Sequence, residues 1–191
     1  MIRRLIDTCV FGDRYMSGLG QVDLERLVDR DAWSRPRLSA AGFGGWVTFA
    51  ELADCLPEIT RDGGVYVVVR DGDKPEFLPA NPGGRFKGRD PSITGDALAV
   101  NWVLGASVVY IGKADNLRRR LREFMRFGAG EPIGHWGGRL IWQLADSGFL
   151  LVAWAETPGR APREIEATMI NAFRAAWGKP PFANEPHRLG A

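Results

Sequence analysis

The sequence predicts an α/β (α+β) protein: a small central mixed or antiparallel β-sheet of about three strands, flanked by helices and preceded by a helical extension. Three observations carry that prediction. Residues 64–70 set Val65, Val67, Val68 and Val69 around Tyr66 directly after an Asp62-Gly63 turn, a strand signature. Residues 107–111 repeat the pattern around Tyr110 and run into an arginine-rich helical stretch. Residues 149–155 form a third apolar run, followed by a long amphipathic stretch that Pro162 opens and Gly178 closes, as helix-start and helix-stop chemistry requires.

The elements read in order as follows. Residues 21–33 are expected to be a helix, with Leu24, Leu27 and Val28 on one side. Thr48-Phe49-Ala50-Glu51 is a capping box, and Leu52, Cys55 and Leu56 continue a short helix that Pro57 ends. The first strand follows at 64–70. Residues 71–92 are dense in Pro, Gly and Asp and include Asn81-Pro82-Gly83-Gly84; a loop this long inside a domain is functional or mobile as a rule. A helix is expected at 94–104, ending at Gly105, then the second strand and the arginine-rich helix at 116–127. Residues 128–138 are glycine-rich and carry His135 and Trp136, and 139–144 is open between helix and strand. The third strand and the helix at 162–177 complete the chain up to Pro180-Pro181-Phe182-Ala183-Asn184. Residues 1–56 are read as the N-terminal helical extension and 57–191 as the main domain, with an insertion at 71–105.

Bulk properties narrow the classes. At 191 residues and 45% hydrophobic, the chain suffices for one sizeable domain with an appendage and does not have a disordered composition. No apolar run is long enough to cross a bilayer. Residues 1–5 are basic, but no signal-peptide apolar run precedes Asp7, so the expected location is cytoplasmic, with no membrane partner. Cys9 and Cys55 have no zinc spacing. The net charge of +2 says little, whereas the basic residues are mostly arginine, with lysine only at 74, 87, 113 and 179. Arginine suits bidentate phosphate contacts; a GC-rich genome produces the same bias. Arg118, Arg119, Arg120, Arg122 and Arg126 form a cluster expected of a polyanion-binding face, or of a solvated helix face.

Some residues break the core pattern. At about 100° per residue, Ile165, Met169, Ile170, Phe173, Ala176 and Trp177 share one sector of the last helix, and Glu166 falls inside it while Glu164 lies opposite. A carboxylate on a buried face must be paired, protonated or metal-bound; an ion pair to an arginine and a metal ligand at a cleft edge both satisfy this. In the arginine-rich helix Leu117, Leu121, Phe124, Met125 and Phe127 define the apolar sector. Arg120 lies within it, Arg118 borders it, and Arg119, Arg122 and Arg126 lie outside. Arg120 therefore points inward, towards a phosphate or a carboxylate partner such as Glu166. By period-2 alternation Tyr66 shares a face with Val68, and Tyr110 with Val108 and Gly112. Gly112 on that face leaves room for a ligand to approach the sheet.

Gly64-Val65-Tyr66, with Tyr110-Ile111-Gly112-Lys113 leading into Leu117-Arg118-Arg119-Arg120-Leu121, resembles the paired signature of the GIY-YIG nuclease superfamily. In that pattern the tenth residue after the second tyrosine is the essential arginine, here Arg120. The metal-binding glutamate is followed by an apolar pair at three and four residues, as Glu166 is by Met169 and Ile170. Pro181-Phe182-Ala183-Asn184 is similar to the terminal segment that braces the site. The resemblance covers about residues 57–185. It departs at Val65 in place of isoleucine, in the long stretch between the motifs, and at Phe124, where many members carry a histidine that serves as base.

The resemblance implies a metal-dependent endonuclease acting on nucleic acid, DNA first and RNA second. The implied catalytic set is Tyr66, Tyr110, Lys113, Arg120 and Glu166, and the substrate-binding set is Gly112, Arg118, His135 and Asn184. Glu166 would hold one divalent cation, Mg²⁺ or Mn²⁺. Tyr66, aided by Tyr110, would orient or deprotonate the attacking water, and as a base it would have to be acidified from its ordinary pKa. Arg120 would neutralise transition-state charge, and Lys113 would acidify the phenol or contact phosphate. With Phe124 in the histidine's place, attention for the base turns to His135 and Lys113, His135 being read first as a loop residue touching substrate or backbone. The competing readings are a non-catalytic nucleic-acid-binding module on the same scaffold and a partner-binding protein using Trp136, Trp142 and Trp154.

Overall fold

The structure, a computed structural model, describes residues 22–72 and 74–184; Cys9 and the basic residues 1–5 lie outside them. Its centre is an antiparallel sheet of four strands in the order β1-β4-β2-β3, with β1 Gly44–Thr48, β2 Gly64–Val69, β3 Val108–Ala114 and β4 Leu151–Glu156. The helices are α1 Arg35–Ala40, α2 Leu52–Cys55, α3 Gly95–Asn101, α4 Leu117–Gly128 and α5 Pro162–Trp177. Among the described residues no helix is long and apolar enough to cross a membrane.

Three strands are where the apolar runs predict them; the fourth, β1, corrects the expected count. Its segment carries two adjacent glycines, which weaken a strand pattern. Gly45 takes φ +98° and sits where a Cβ would lie 2.3 Å from the Trp154 ring. Only a glycine lets β1 lie that close to β4, and the register shifts between Gly44 and Val47, as in a bulge. The segment before the first predicted strand is thus part of the sheet.

The helix expected at 21–33 is instead two separate 3₁₀ turns, Leu24–Arg26 and Asp31–Trp33. Asp23 accepts from Glu25 N (3.2 Å) and Asp29 from Ala32 N (2.9 Å), local bonds that compete with a continuous helix. Leu27 enters the core while Val28 is 71% exposed, so the two do not share a face. The ambiguous 139–144 segment belongs to a longer 3₁₀ run, Trp136–Gln143. The capping-box bonds form, with Thr48 Oγ1 accepting from Glu51 N and the Glu51 carboxylate accepting from Thr48 N and Oγ1, but they close the turn between β1 and α2, whose N-cap is Glu51, and Pro57 lies in a 3₁₀ turn, Leu56–Glu58, that follows α2.

Both sheet faces are covered. One carries α5, through Ile165, Met169 and Phe173, together with Leu27, Trp33 and Leu38 of the N-terminal part, against Val65, Val67 and Ile111. The other carries α4, through Leu117, Leu121, Phe124 and Phe127, and the 3₁₀ run, against Tyr66, Val68 and Tyr110. Strand β2 is buried at all six positions, which is why its sequence is nearly continuous valine rather than alternating.

The long 71–92 segment is pinned by two buried amides. Gln143 donates to the carbonyls of Leu78 (3.0 Å) and Ile93 (2.6 Å) and accepts from Ile93 N (2.9 Å). Asn81 donates to the Arg139 carbonyl (2.8 Å) and accepts from Gly83 N (2.9 Å). Strand β3 is an edge, with unpaired backbone groups on its outer side. Asn184 saturates one residue of that edge, accepting from Ile111 N (2.8 Å) and donating to Ile111 O (2.7 Å), while Ala183 N donates to Val109 O (2.9 Å). Replacing Asn184 by Ala leaves a donor and an acceptor of β3 without these partners. At about 0.5–1.5 kcal/mol per hydrogen bond, Asn184→Ala should cost roughly 1–3 kcal/mol in urea unfolding, with Asn184→Asp keeping only the accepting half.

Candidate active site

The candidate site begins with a cross-strand pair. Tyr66 on β2 stands opposite Gly112 on β3. A Cβ at Gly112 would lie 2.4 Å from Tyr66 Cζ and 2.6 Å from its hydroxyl. The space that glycine opens is therefore filled by the phenol, not kept for a ligand, which corrects the expectation for Gly112. The register also shifts between Val68 and Val69, and the β3 alternation changes there. Val109 joins the Tyr110 face, and Val108 faces α5, contrary to strict alternation.

Tyr66 is fully buried. Its ring lies 5.9 Å from that of Tyr110, and its hydroxyl is 3.4 Å from His135 Nε2. Hydrogen bonding from Tyr110 and Arg120 and the Arg120 charge favour its phenolate, but burial outweighs them and raises its pKa. Burial, followed by the neighbouring Tyr66, pushes Tyr110 up further. Both phenols thus stay protonated at neutral pH, the opposite of the acidification that a tyrosine base requires.

Arg120 sits inward as the helical arithmetic predicts, with its side chain 27% exposed against 67% for Arg119. Its ion pair is with Glu123, Nη1 to Oε2 at 3.4 Å, one turn along the same helix. Among the described residues no ion pair joins it to Glu166. Glu166 projects from α5 beside the edge strand β3. Burial raises its pKa, while the Lys113 and Arg120 charges and a hydrogen bond to the Lys113 backbone act against that rise. Tyr66, Tyr110 and Arg120 all interact electrostatically with one another, and both phenols feel Glu166. Four side chains from β2, β3, α4 and α5 thus form one cluster.

The cluster opens on a cleft of about 910 Å³. Tyr110, Glu166 and Asn184 line it; Tyr66 and Arg120 do not. Its remaining lining, which the sequence reading did not assign to the site, is Phe86, Lys87, Arg89, Trp136, Gly137, Arg139 and Ala183. The available signal was composition: Arg85-Phe86-Lys87-Gly88-Arg89 mixes cations with an aromatic, and Trp136 adjoins His135.

His135 does not reach the cleft. It is 0% exposed and stacks on Phe124 with ring centroids 4.0 Å apart and an interplanar angle of 2°. Burial and then the Arg120 charge hold its pKa well below the ordinary histidine value, so it is a neutral ring beside the Tyr66 hydroxyl. Its Nδ1 is buried without a hydrogen-bond partner among the described residues. Arg118 also lies away from the cleft, its Nε donating to the Ile59 carbonyl at 2.6 Å; that contact ties α4 to the turn before β2. Trp142 and Trp154 are buried in the core, and only Trp136 of the three tryptophans is half-exposed, so they do not make a common surface.

No protein-family model, curated protein or solved structure matches the chain. The site's residues offer a half-buried carboxylate, a guanidinium against two phenols, and a cleft wall with cationic side chains. An anion with a dispersed charge suits the arginine side of this arrangement, and a hard cation suits the carboxylate.

Two measurements probe the buried pair. Gly112→Ala must displace the Tyr66 ring, and overpacking of this kind costs about 1–3 kcal/mol; thermal unfolding should show the loss. For His135 the folded state resists protonation while the unfolded chain accepts a proton below about pH 6.5. The unfolded state then binds more protons, so stability falls as pH drops through that value, by up to about 1.4 kcal/mol per pH unit. His135→Phe keeps the aromatic stack and should flatten the fall between neutral pH and pH 5 in denaturant titrations.

Proposed function

We propose that the protein is a metal-dependent endonuclease of the GIY-YIG type, hydrolysing phosphodiester bonds of nucleic acid, DNA first. The observation that supports the reading is one cluster of Tyr66, Tyr110, Arg120 and Glu166, far apart in sequence, from which Tyr110 and Glu166 reach the cleft. Asn184 supports it by holding the edge of β3 beside Tyr110.

The implied cation fits the donor set. Glu166 presents a carboxylate to the cleft, and among the described residues no group of three or more His, Cys, Asp or Glu gathers around a common point. A single carboxylate, with the remaining positions left to water and phosphate oxygens, matches how Mg²⁺ and its analogues are held. Bound there, such a cation would supply Lewis-acid polarisation of the phosphodiester.

The chain's own residues do the following. Tyr110 lines the cleft and meets an incoming water or phosphate oxygen. Tyr66, hydrogen-bonded to its hydroxyl, keeps that phenol oriented; its own burial makes it a positioning group rather than the base. Arg120, set beside the two phenols and not on the cleft lining itself, supplies positive charge to the site from a setting burial makes less water-like. Lys113 holds charge beside Glu166. The rim cations Lys87 and Arg89 draw the polyanion in.

The non-catalytic binding module draws on one separate observation: Lys87 and Arg89 on the cleft wall do not depend on Glu166 for their charge. Incubation of plasmid with the protein and Mg²⁺ or Mn²⁺ separates the two. Glu166→Ala should lower nicking by at least about a hundredfold and leave DNA binding in place; unchanged nicking refutes the assignment. Because burial raises the Glu166 pKa, protons compete with the cation at higher pH than for an ordinary glutamate. Activity should therefore decline on acidification before the usual glutamate range is reached, and extra cation should restore it.

A further inference from the structure

The rim of the cleft carries two aromatic rings for which phosphodiester hydrolysis has no use. Phe86 and Trp136 are both half-exposed and both line the cleft. They come from different segments, the 71–92 stretch and the glycine-rich loop, yet share a wall: a Cβ at Gly134 would lie 3.4 Å from the Phe86 ring. Each ring has a cation against it. Lys87 Nζ is 5.5 Å from the Phe86 centroid, and Arg139 Cζ is 4.8 Å from the Trp136 centroid.

Neither ring hangs on a loose loop. Phe86 opens a tight turn closed by Arg89 N donating to Phe86 O (3.2 Å), with Lys87 at φ 54° and Gly88 at φ 75°. Arg139 is nearly fully buried and donates to the Trp136 carbonyl at 3.2 Å. Asn81 bonds the Arg139 carbonyl, so the two segments are cross-linked behind the rings.

The geometry points to a stacking platform for unpaired nucleobases, making single-stranded or locally unpaired nucleic acid the substrate class of this cleft. In a continuous duplex the bases are stacked on one another and the outside offers phosphates, for which the cations alone would serve. Aromatic faces interleaved with cations bind a strand whose bases are free to stack, with little regard to sequence. This rests on the nuclease reading only for the cutting step; the binding preference stands apart from it.

The test compares a labelled single strand, the same sequence as a full duplex, and a duplex with an unpaired flap. Binding is read by anisotropy without divalent cation and cutting with Mn²⁺. The single strand and the flap should bind more tightly than the duplex, and cuts should fall beside the unpaired nucleotides. Phe86→Leu and Trp136→Leu keep an apolar side chain at half-exposed positions, so the fold should survive, as circular dichroism would check. Each should weaken single-strand binding by roughly 5- to 150-fold with little effect on the duplex, and Trp136→Phe should restore most of the loss. Duplex bound and cut as well as the unpaired substrates, or leucine variants binding the single strand like the parent, would overturn the platform while leaving the nuclease reading intact. Strong ring-dependent single-strand binding with no cutting of any substrate would instead sustain the platform and sink the nuclease reading.

Discussion

The contact between the Tyr66 ring and the backbone of Gly112 organises this protein. It places a phenol against the neighbouring strand, in the layer between the sheet and α4, where a polar hydroxyl needs company. Tyr110, Arg120 and His135 supply it. An apolar residue in place of Tyr66 would remove the reason for a guanidinium to point inward from α4, and a side chain at position 112 would remove the place for the ring. The buried hydroxyl thus draws residues from three elements to one point, and Tyr110 extends that point to the cleft.

Around this hub the fold separates two tasks. The α5 side of the sheet is an ordinary apolar layer, in which Ile165, Met169 and Phe173 cover the valines of β2. The α4 side mixes apolar packing with polar groups that must be satisfied. Glu166 belongs to the first layer by its helix and to the second by its reach past the edge strand. That edge explains the site's position: β3 has no further strand beside it, so a carboxylate from α5 and the phenol of Tyr110 can face the same space. Asn184 closes the backbone of the edge at Ile111 and lines the cleft.

The neutral imidazole of His135 and the protonated phenols alter the expected division of labour. Burial outweighs the nearby positive charge at both tyrosines, so positive charge in the cluster rests on Arg120, with Lys113 beside Glu166. Phe124 has the imidazole of His135 stacked on it from another segment. The ring of His135 lies next to the Tyr66 hydroxyl although the sequence places it in a loop 69 residues away.

Sequence alone was enough for the elements whose chemistry is local. Valine runs, the Thr48–Glu51 side-chain bonds, the proline that opens α5 and the glycine that closes it, and the inward positions of Arg120 and Glu166 all follow from propensities and a 3.6-residue period, which act within a few residues. Tertiary structure decided what depends on distant approach. The Gly44–Thr48 segment is a strand only because Gly45 can lie against Trp154, and two aspartates break the expected 21–33 helix into turns that the core then accepts. Gly112 serves Tyr66, Arg118 serves Ile59, and His135 is sealed behind the cleft it was expected to line. The cleft wall of Phe86, Trp136 and Arg139 arises from two buried amides that join separate segments. Period and propensity report which way a side chain leaves its own element; only packing reports what it meets there.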